Sequence, residues 1–201
     1  MIGSFNPKNK MVKGRINMRN KQHPRNDGTK ENIVLTGFMG AGKTTVGRLL
    51  AARLGWNFIE TDEMIERKTG MTISKIFDLY GEAYFRQKES EAVQELAGLT
   101  RGSSVISTGG GVVLRRDNIS ALRRAGVIVY LEVSPEEAWQ RLRDKKDRPL
   151  LQEGCAQERI RTLLQGRRDQ YLESDFQVKT AAKNPEEIVE EIVVLLQHKR
   201  E

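Results

Sequence analysis

Cysteine, histidine and long apolar runs are scarce in this sequence. The single cysteine, Cys155, has no second thiol in the chain to pair with, so an internal disulfide is excluded and a reducing compartment such as the cytoplasm is favoured. The two histidines, His23 and His198, lie near the two ends and form no recognisable metal-binding cluster with Cys155. No apolar run approaches the roughly 18 residues that a membrane-spanning helix needs. The sequence therefore argues against a disulfide-stabilised scaffold, a zinc-binding domain and a membrane-spanning protein.

Most of the chain also lacks an excess of charge of either sign. The net charge is +7. Residues 1–30 contain eight lysines and arginines but one acid, Asp27, whereas the remaining residues contain basic and acidic side chains in equal number. The whole excess therefore lies in the first 30 residues. The remainder is neutral, and its charge gives no indication of binding to nucleic acid.

Residues 1–30 are polar and basic and lack hydrophobic periodicity, so we expect a disordered N-terminal extension. A secretory signal is excluded because no apolar core of about 7–15 residues follows the charges. Two interpretations stay open: an organelle transit peptide, for which the segment is poor in serine, and an extended or misassigned start with Met11 or Met18 as the true one. We favour the second. Residues 31–201 are predicted to form a single α/β domain.

The most informative stretch is glycine-rich and runs from Gly37 to Thr45. It fits the pattern G-x-x-x-x-G-K-[ST] of phosphate-binding loops. A strand pattern at 32–36 precedes it and a helical pattern at 45–54 follows it, which is the context that the chemistry requires. The other interpretation, an ordinary glycine-rich turn next to a lysine, does not explain this context. The chain is therefore predicted to bind ATP or GTP.

Each residue type in this loop has a physical role. Gly37, Gly40 and Gly42 let the backbone turn its N–H groups toward one centre, and the N-terminus of the following helix adds partial positive charge. Lys43 is predicted to contact the β- and γ-phosphates, and the hydroxyl of Thr44 is predicted to be a ligand of Mg²⁺.

Strand and helix patterns alternate along the rest of the chain. Strands are predicted at 32–36, 56–60, 104–107, 127–131 and 176–178. Helices are predicted at 45–54, 63–68, 72–80, 82–99, from 134 onward, at 159–171 and at 184–198. This alternation predicts an α/β fold with a doubly wound parallel sheet, which binds ligands at the C-terminal ends of its strands. A densely charged segment at about 141–156 is predicted to be a mobile lid.

The phosphate-binding loop does not by itself identify the reaction, because pumps, GTPases and small-molecule kinases all carry one. The base-reading motif N-K-x-D of P-loop GTPases is absent, and a large motor protein would be longer. A domain of this size with an arginine-rich segment fits a small kinase. Such an enzyme closes over its substrates and keeps water away from the γ-phosphate.

Several further motifs follow the phosphate-binding loop. They are Thr61-Asp62, Gly81-Glu82 with Phe85-Arg86, Gly109-Gly110-Gly111, Arg148-Pro149-Leu150-Leu151, and Arg167 four residues before Tyr171. With these motifs in this order, residues 31–198 resemble the shikimate kinases. The resemblance implies a three-layer αβα P-loop kinase fold with a five-stranded parallel sheet of order 2-3-1-4-5. It also implies transfer of a phosphoryl group from ATP, with Mg²⁺, to the 3-hydroxyl of shikimate.

The resemblance implies roles for individual residues. Asp62 orients the reacting hydroxyl and then acts as a base, although it also suits the N-cap of the helix at 63–68. Arg86 and Arg167 bind the substrate carboxylate through charge-assisted hydrogen bonds, and the backbone N–H of Gly110 contacts the substrate. The catalytic residues so implied are Asp62, Lys43 and Arg148, the last being the lid arginine. The ATP-binding residues so implied are Gly40, Ala41, Gly42, Lys43, Thr44, Thr45 and Arg148.

The sequence departs from the family pattern in the predicted lid and at Glu60. Many relatives have aspartate at the position of Glu60, where it touches the water shell of Mg²⁺, and the longer side chain leaves the metal role of Glu60 open. The lid contains one more residue, near Asp147, than relatives that read Asp-Lys-Lys-Arg-Pro. Arg141, seven residues before Arg148, is a candidate for stacking near adenine.

Two other functions stay open at this point. Another small-molecule kinase, acting on gluconate or a nucleoside monophosphate, would use the same scaffold, and gluconate also carries a carboxylate. A nucleotide-dependent regulatory protein would use residues 1–30 to bind nucleic acid. We favour a monomeric cytoplasmic kinase with ATP and shikimate as its partners, and with neither nucleic acid nor membrane among them.

Overall fold

The computed structural model describes residues 31–98, 102–143 and 156–198. The predicted extension at 1–30, most of the predicted lid, and Arg148 lie outside the described residues. The strands are β1 (Asn32–Thr36), β2 (Asn57–Glu60), β3 (Ser104–Ser107), β4 (Gly126–Glu132) and β5 (Phe176–Lys179). The helices are α1 (Lys43–Leu54), α2 (Thr61–Thr69), α3 (Ile73–Gly98), α4 (Arg116–Ala125), α5 (Pro135–Leu142), α6 (Ala156–Gly166), α7 (Arg168–Leu172) and α8 (Pro185–His198), with a 3₁₀ turn at Val112–Leu114.

The five strands form one parallel sheet in the order β2-β3-β1-β4-β5, which confirms the predicted order. β1 lies at the centre, where Ile33 pairs with Val105 of β3 and with Val127 of β4. Every residue of β1 is buried, as expected for a central strand covered on both faces. α1 packs with α8, and α3 packs with α4, so that helices form the outer layers of an αβα arrangement.

Most elements begin and end within two residues of the sequence-based predictions, and two larger differences concern α4 and the helix predicted at 159–171. Helix α2 begins at Thr61 with Glu60 as its N-cap, so the predicted N-cap role of Asp62 is wrong and Asp62 lies in the first turn. β2 begins at Asn57 rather than at Trp56. Helix α4 was not predicted at all, because it begins with charged residues and its buried face consists of short apolar side chains beside Ile119 and Leu122. The predicted helix at 159–171 is wrong as a single element: Arg167, with φ −112° and ψ 1°, separates α6 from α7.

Helix α3 is interrupted at Gly81, as the sequence predicted. Gly81 has φ 75° and ψ 176°, a conformation that is essentially restricted to glycine. The interruption separates a first part that carries exposed Leu79 and Tyr80 from a second part that packs into the main hydrophobic core through Val93 and Leu96. No helix among the described residues is long and apolar enough to cross a membrane.

Candidate functional site

The predicted phosphate-binding loop joins the C-terminal end of β1 to the first turn of α1. Gly40 and Gly42 have φ of 81° and 88°, left-handed values that glycine adopts without strain. The side chain of Lys43 folds back over the loop, and its Nζ donates hydrogen bonds to the carbonyl oxygens of Gly37 at 2.8 Å and Phe38 at 3.0 Å. The ammonium group therefore lies at the same end of the sheet as the N-terminus of α1.

Thr44 and Glu60 connect this loop to the end of β2. The hydroxyl of Thr44 donates a hydrogen bond to Oε1 of Glu60. Nη2 of Arg48, on the next turn of α1, lies 3.7 Å from Oε2 of Glu60 and 2.8 Å from Oε1 of Glu63. The longer side chain of Glu60 therefore reaches the predicted metal ligand directly.

A cavity of about 250 Å³ lies over the loop. Its lining includes Gly40, Gly42, Lys43, Thr44 and Thr45, which are five of the residues predicted to bind ATP. Arg141 also lines it, and its Nη1 donates a hydrogen bond to the carbonyl oxygen of Gly40 at 3.0 Å. Ala41 instead points into the core, and its N–H donates to the carbonyl oxygen of Phe38 at 3.1 Å.

A larger cavity of about 490 Å³ adjoins the first. All four residues predicted to bind the substrate line it: Asp62, Arg86, Gly110 and Arg167. Met39, Glu60, Asp62, Gly109 and Gly110 line both cavities. Asp62 therefore lies where a phosphate donor in one cavity and an acceptor in the other would meet.

Arg86 is buried in the wall of the larger cavity and is held by two carboxylates of α3. Its Nη1 donates to Oε2 of Glu89 at 2.8 Å, and its Nε and Nη2 donate to Oε1 of Glu82 at 3.1 and 3.0 Å. Burial alone would lower the pKa of Arg86, but the charges and hydrogen bonds of Glu89 and Glu82 together raise it. The guanidinium group therefore stays positively charged and is held in position by the two carboxylates.

Glu89 is the main site residue that the sequence analysis missed. It is 1% exposed and lines the larger cavity. Burial raises the pKa of Glu89, and the negative charge of Asp62 adds to that effect, whereas Arg86 and Arg167 oppose it. The only sequence signal was its position three residues after Arg86 on a helix, a spacing that brings two side chains together.

The glycine triplet is required by the charged side chains that pack against it. A Cβ on Gly109 would lie 2.6 Å from Oε1 of Glu89, and a Cβ on Gly111 would lie 2.2 Å from Nη1 of Arg86. At Gly110 a Cβ would lie 3.1 Å from the backbone nitrogen of Met39. Glycine at these positions therefore makes room for the site's own side chains and for the phosphate-binding loop.

Arg167 and Tyr171 converge on the carbonyl oxygen of Gly110. The Tyr171 hydroxyl donates a hydrogen bond to it, and Nη1 of Arg167 donates at 3.4 Å. The ring of Tyr171 stacks on Tyr130 with the centroids 4.9 Å apart. Burial raises the pKa of Tyr171, and burial with the charge of Glu132 raises the pKa of Tyr130 to about 12, so both hydroxyls stay protonated at neutral pH.

The donor set is one that would hold a metal ion together with a nucleotide. Among the described residues no three His, Cys, Asp or Glu side chains cluster so as to hold a metal ion. Mg²⁺ commonly keeps several waters and binds through few protein ligands together with substrate phosphates. The Thr44 hydroxyl beside Glu60, at the edge of the loop cavity, suits such shared coordination.

Comparisons with known proteins agree with this geometry. The family model described as shikimate kinase matches residues 39–197. A curated shikimate kinase of Thermodesulfovibrio yellowstonii is 47% identical over 163 residues, which cover 81% of this chain and 93% of the relative.

Solved structures give the same result. A shikimate kinase from Acinetobacter baumannii in complex with shikimate superposes with a TM-score of 0.81 at 39% identity, covering 85% of this chain and 95% of that one. A gluconokinase from Sinorhizobium meliloti 1021, at 19% identity and a TM-score of 0.50, covers 85% of this chain and 93% of its own, and shows similarity of fold alone. The chain therefore belongs to the shikimate kinase family and is an enzyme, a kinase of the shikimate pathway.

Proposed function

We propose that this enzyme transfers the γ-phosphoryl group of ATP to the 3-hydroxyl of shikimate, with the residues of the two adjoining cavities as its machinery. The observation that carries the proposal is the position of Asp62 in the wall common to both cavities. A phosphate donor on the loop and a small acceptor beside Arg86 would bring a hydroxyl and a phosphoryl group together at Asp62. Such positioning accounts for much of the catalysis in phosphoryl transfer.

Recognition of the acceptor rests on Arg86 and Arg167. Both arginines are buried in the wall of the 490 Å³ cavity, where a carboxylate would form charge-assisted hydrogen bonds with their guanidinium groups. A cavity of this volume is in the range of small-molecule sites. In this proposal one end of the ring is fixed by the arginines, and a hydroxyl at the other end is directed toward Asp62.

Asp62 would accept a hydrogen bond from the reacting hydroxyl. Because the transition state of phosphoryl transfer is loose, the hydroxyl proton leaves late, so orientation precedes proton removal. The carboxylate then accepts the proton as the new O–P bond forms. In this proposal Asp62 first orients the hydroxyl and then accepts its proton, both within a single reaction step.

ATP would occupy the smaller cavity. Lys43 and the loop N–H groups would contact the phosphates, and the Thr44 hydroxyl would hold Mg²⁺, which when bound neutralises charge on the phosphates. Arg148, implied by the family resemblance, would contribute a further positive charge during transfer. Arginines with this role raise the rate by about 10³–10⁵ in related chemistry.

The proposal also includes a monomeric enzyme in the cytoplasm. A single cysteine in 201 residues suits a reducing compartment. Size-exclusion chromatography with light scattering checks the oligomeric state, and fractionation of the source cells checks the location.

The experiment that tests the proposed function measures ADP release with Mg²⁺-ATP and one of shikimate, gluconate, AMP or no acceptor. We expect turnover with shikimate alone. Gluconate is the informative alternative, because it also offers a carboxylate to Arg86 and Arg167. Turnover with gluconate or AMP in place of shikimate would overturn the assigned acceptor, and ATP binding without turnover would favour a regulatory protein.

A further inference from the structure

One oxygen of Glu89 lies buried in the larger cavity without a hydrogen bond. Oε2 accepts from Nη1 of Arg86 at 2.8 Å, whereas Oε1 has no hydrogen-bond partner among the described residues. Oε1 of Glu89 and Oδ1 of Asp62 lie 2.6 and 3.1 Å from the point where a Cβ of Gly109 would stand. Two carboxylate oxygens thus face the same small space, with Glu89 only 1% exposed. A buried carboxylate oxygen without a donor is costly.

Charged groups from several elements surround Glu89 within the described part of the chain. Arg86 and Glu82 come from the same helix, Asp62 from α2, and Arg167 from the junction of α6 and α7. The Tyr171 hydroxyl faces it from α7 and is protonated. Glu82 is half-exposed, so among the described residues the charged groups that act on Glu89 from the cavity wall are the buried Arg86 and Arg167 and the partly buried Asp62.

A substrate carboxylate would change the charge around Glu89. It would bind to the same two arginines that oppose the rise in the pKa of Glu89, and it adds one negative charge inside the cavity. The substrate carboxylate, Glu89 and Asp62 would then lie close to the guanidinium groups of Arg86 and Arg167. In such clusters one carboxyl group commonly takes a proton, because like charges cannot all be stabilised.

We propose that Glu89 takes up one proton from solvent when shikimate binds, an inference that rests on the proposed function. The new O–H bond forms at Oε1, while Oε2 keeps its hydrogen bond from Arg86. The O–H then donates toward Asp62, which remains ionised and accepts from the reacting hydroxyl of the substrate. Protonation thereby turns the buried Oε1, which has no hydrogen-bond partner among the described residues, into a hydrogen-bond donor.

Titration calorimetry tests this proton uptake directly. Shikimate is titrated at about pH 7 into the full-length enzyme without nucleotide, in phosphate, Hepes and Tris buffers, whose ionisation enthalpies differ. Proton uptake makes the observed enthalpy rise with the ionisation enthalpy of the buffer, with a slope equal to the number of protons bound. We expect a positive slope and a Kd that increases with pH by up to about tenfold per unit. A slope of zero or below would overturn the inference while leaving the proposed function intact, whereas no heat in any buffer would count against the proposed function itself.

Three variants test whether Glu89 is the group that takes up the proton. Glu89→Gln keeps an oxygen for Arg86 and places an N–H donor at the position of Oε1, so we expect shikimate binding with the slope abolished. Glu91→Gln, an exposed residue of the same helix paired with Lys88, should retain the full slope. Asp62→Asn should lower the slope, because it removes the neighbouring charge. A full slope in Glu89→Gln, or in Asp62→Asn if the first variant does not fold, would contradict the assignment.

Discussion

Arg86 shows how a single buried cation is fixed before a substrate arrives. One carboxylate that holds it, Glu89, is 1% exposed, while the other, Glu82, has a side chain that is 48% exposed. Breaking a buried charge pair costs far more than breaking an exposed one. Glu89 therefore sets the orientation of the guanidinium group, and Glu82 contributes an interaction that water weakens.

The role of Asp62 can be tested by the substitution Asp62→Asn. The carboxamide keeps the size of the side chain but is a poor proton acceptor, so we expect kcat to fall by about 10²–10⁴. The shikimate KM should change much less, since Arg86 and Arg167 supply the proposed carboxylate contacts. Steady-state ADP release measures both constants. Equal turnover in wild type and variant would remove Asp62 from the catalytic residues.

Gly111→Ala is expected to weaken shikimate binding because the added methyl group would displace the guanidinium group of Arg86. Gly111 has φ −107°, which alanine tolerates, but its Cβ would lie 2.2 Å from Nη1 of Arg86. The guanidinium group must move, and a displaced arginine should raise the shikimate KM by about tenfold or more, equivalent to one lost charge-assisted hydrogen bond.

The matched control for Gly111→Ala is a double-mutant cycle with Arg86→Ala. Once the arginine is truncated, the added methyl group meets no guanidinium, so the double variant should be no worse than Arg86→Ala. Additive effects of the two substitutions on kcat/KM would show that Gly111 acts by some route other than Arg86.

Motifs in the sequence identified Asp62, Arg86, Gly110 and Arg167, and the fold brings all four to one cavity. Glu89 could not be found in the same way. A glutamate three residues after an arginine on a helix usually forms an exposed ion pair, whereas Glu89 is 1% exposed and packs against Gly109 in the fold. Burial depends on elements distant in sequence, so local spacing did not reveal it.

At the scale of elements, Gly81 interrupts helix α3 with a backbone conformation that glycine alone adopts readily. Its φ of 75° and ψ of 176° are unfavourable for any residue with a Cβ, although no atom would contact that Cβ within 4 Å. Gly81→Ala is therefore expected to lower the free energy of unfolding by about 1–3 kcal/mol through backbone strain. Urea denaturation measures the change.

Gly98→Ala is the matched control for Gly81→Ala. A Cβ at Gly98 would also meet nothing within 4 Å, and this residue ends the same helix without a left-handed φ. The control should leave stability unchanged or raise it by at most about 1 kcal/mol. A Gly81→Ala protein as stable as the control would show that the helix interruption is not maintained by glycine.

How well the sequence predicts each strand or helix depends on how that element is buried. β1 and β3 have the predicted bounds because a central parallel strand is a short apolar run with clear ends. Helix α4 was not predicted because arginines flank its few apolar positions. A short segment with many charged side chains resembles a surface loop when only its sequence is considered. At the break between α6 and α7, the side chain of Arg167 contacts Gly110, which lies 57 residues away in the sequence, and local patterns do not reveal such a contact.

At the scale of the whole molecule, parallel pairing brings distant parts of the sequence into one site. The phosphate-binding loop follows β1, Asp62 follows β2, and the glycine triplet follows β3, all at the C-terminal edge of the sheet. Because β3 lies between β1 and β2, the segment after β3 contributes to both cavities. This strand order therefore places the proposed ATP cavity beside the proposed acceptor cavity, so that the two share part of their lining.

The charge distribution of the whole chain leads to a prediction about residues 1–29. The excess of +7 lies in the first 30 residues, whereas the residues that line the two cavities all lie between Met39 and Arg167. Deleting residues 1–29 should leave kcat and both KM values unchanged. Retention of the protein on heparin should fall sharply, because the remaining chain has little net charge to attract a polyanion. Loss of kinase activity together with loss of RNA or DNA binding would contradict this prediction and would make the N-terminal segment part of the enzyme's function.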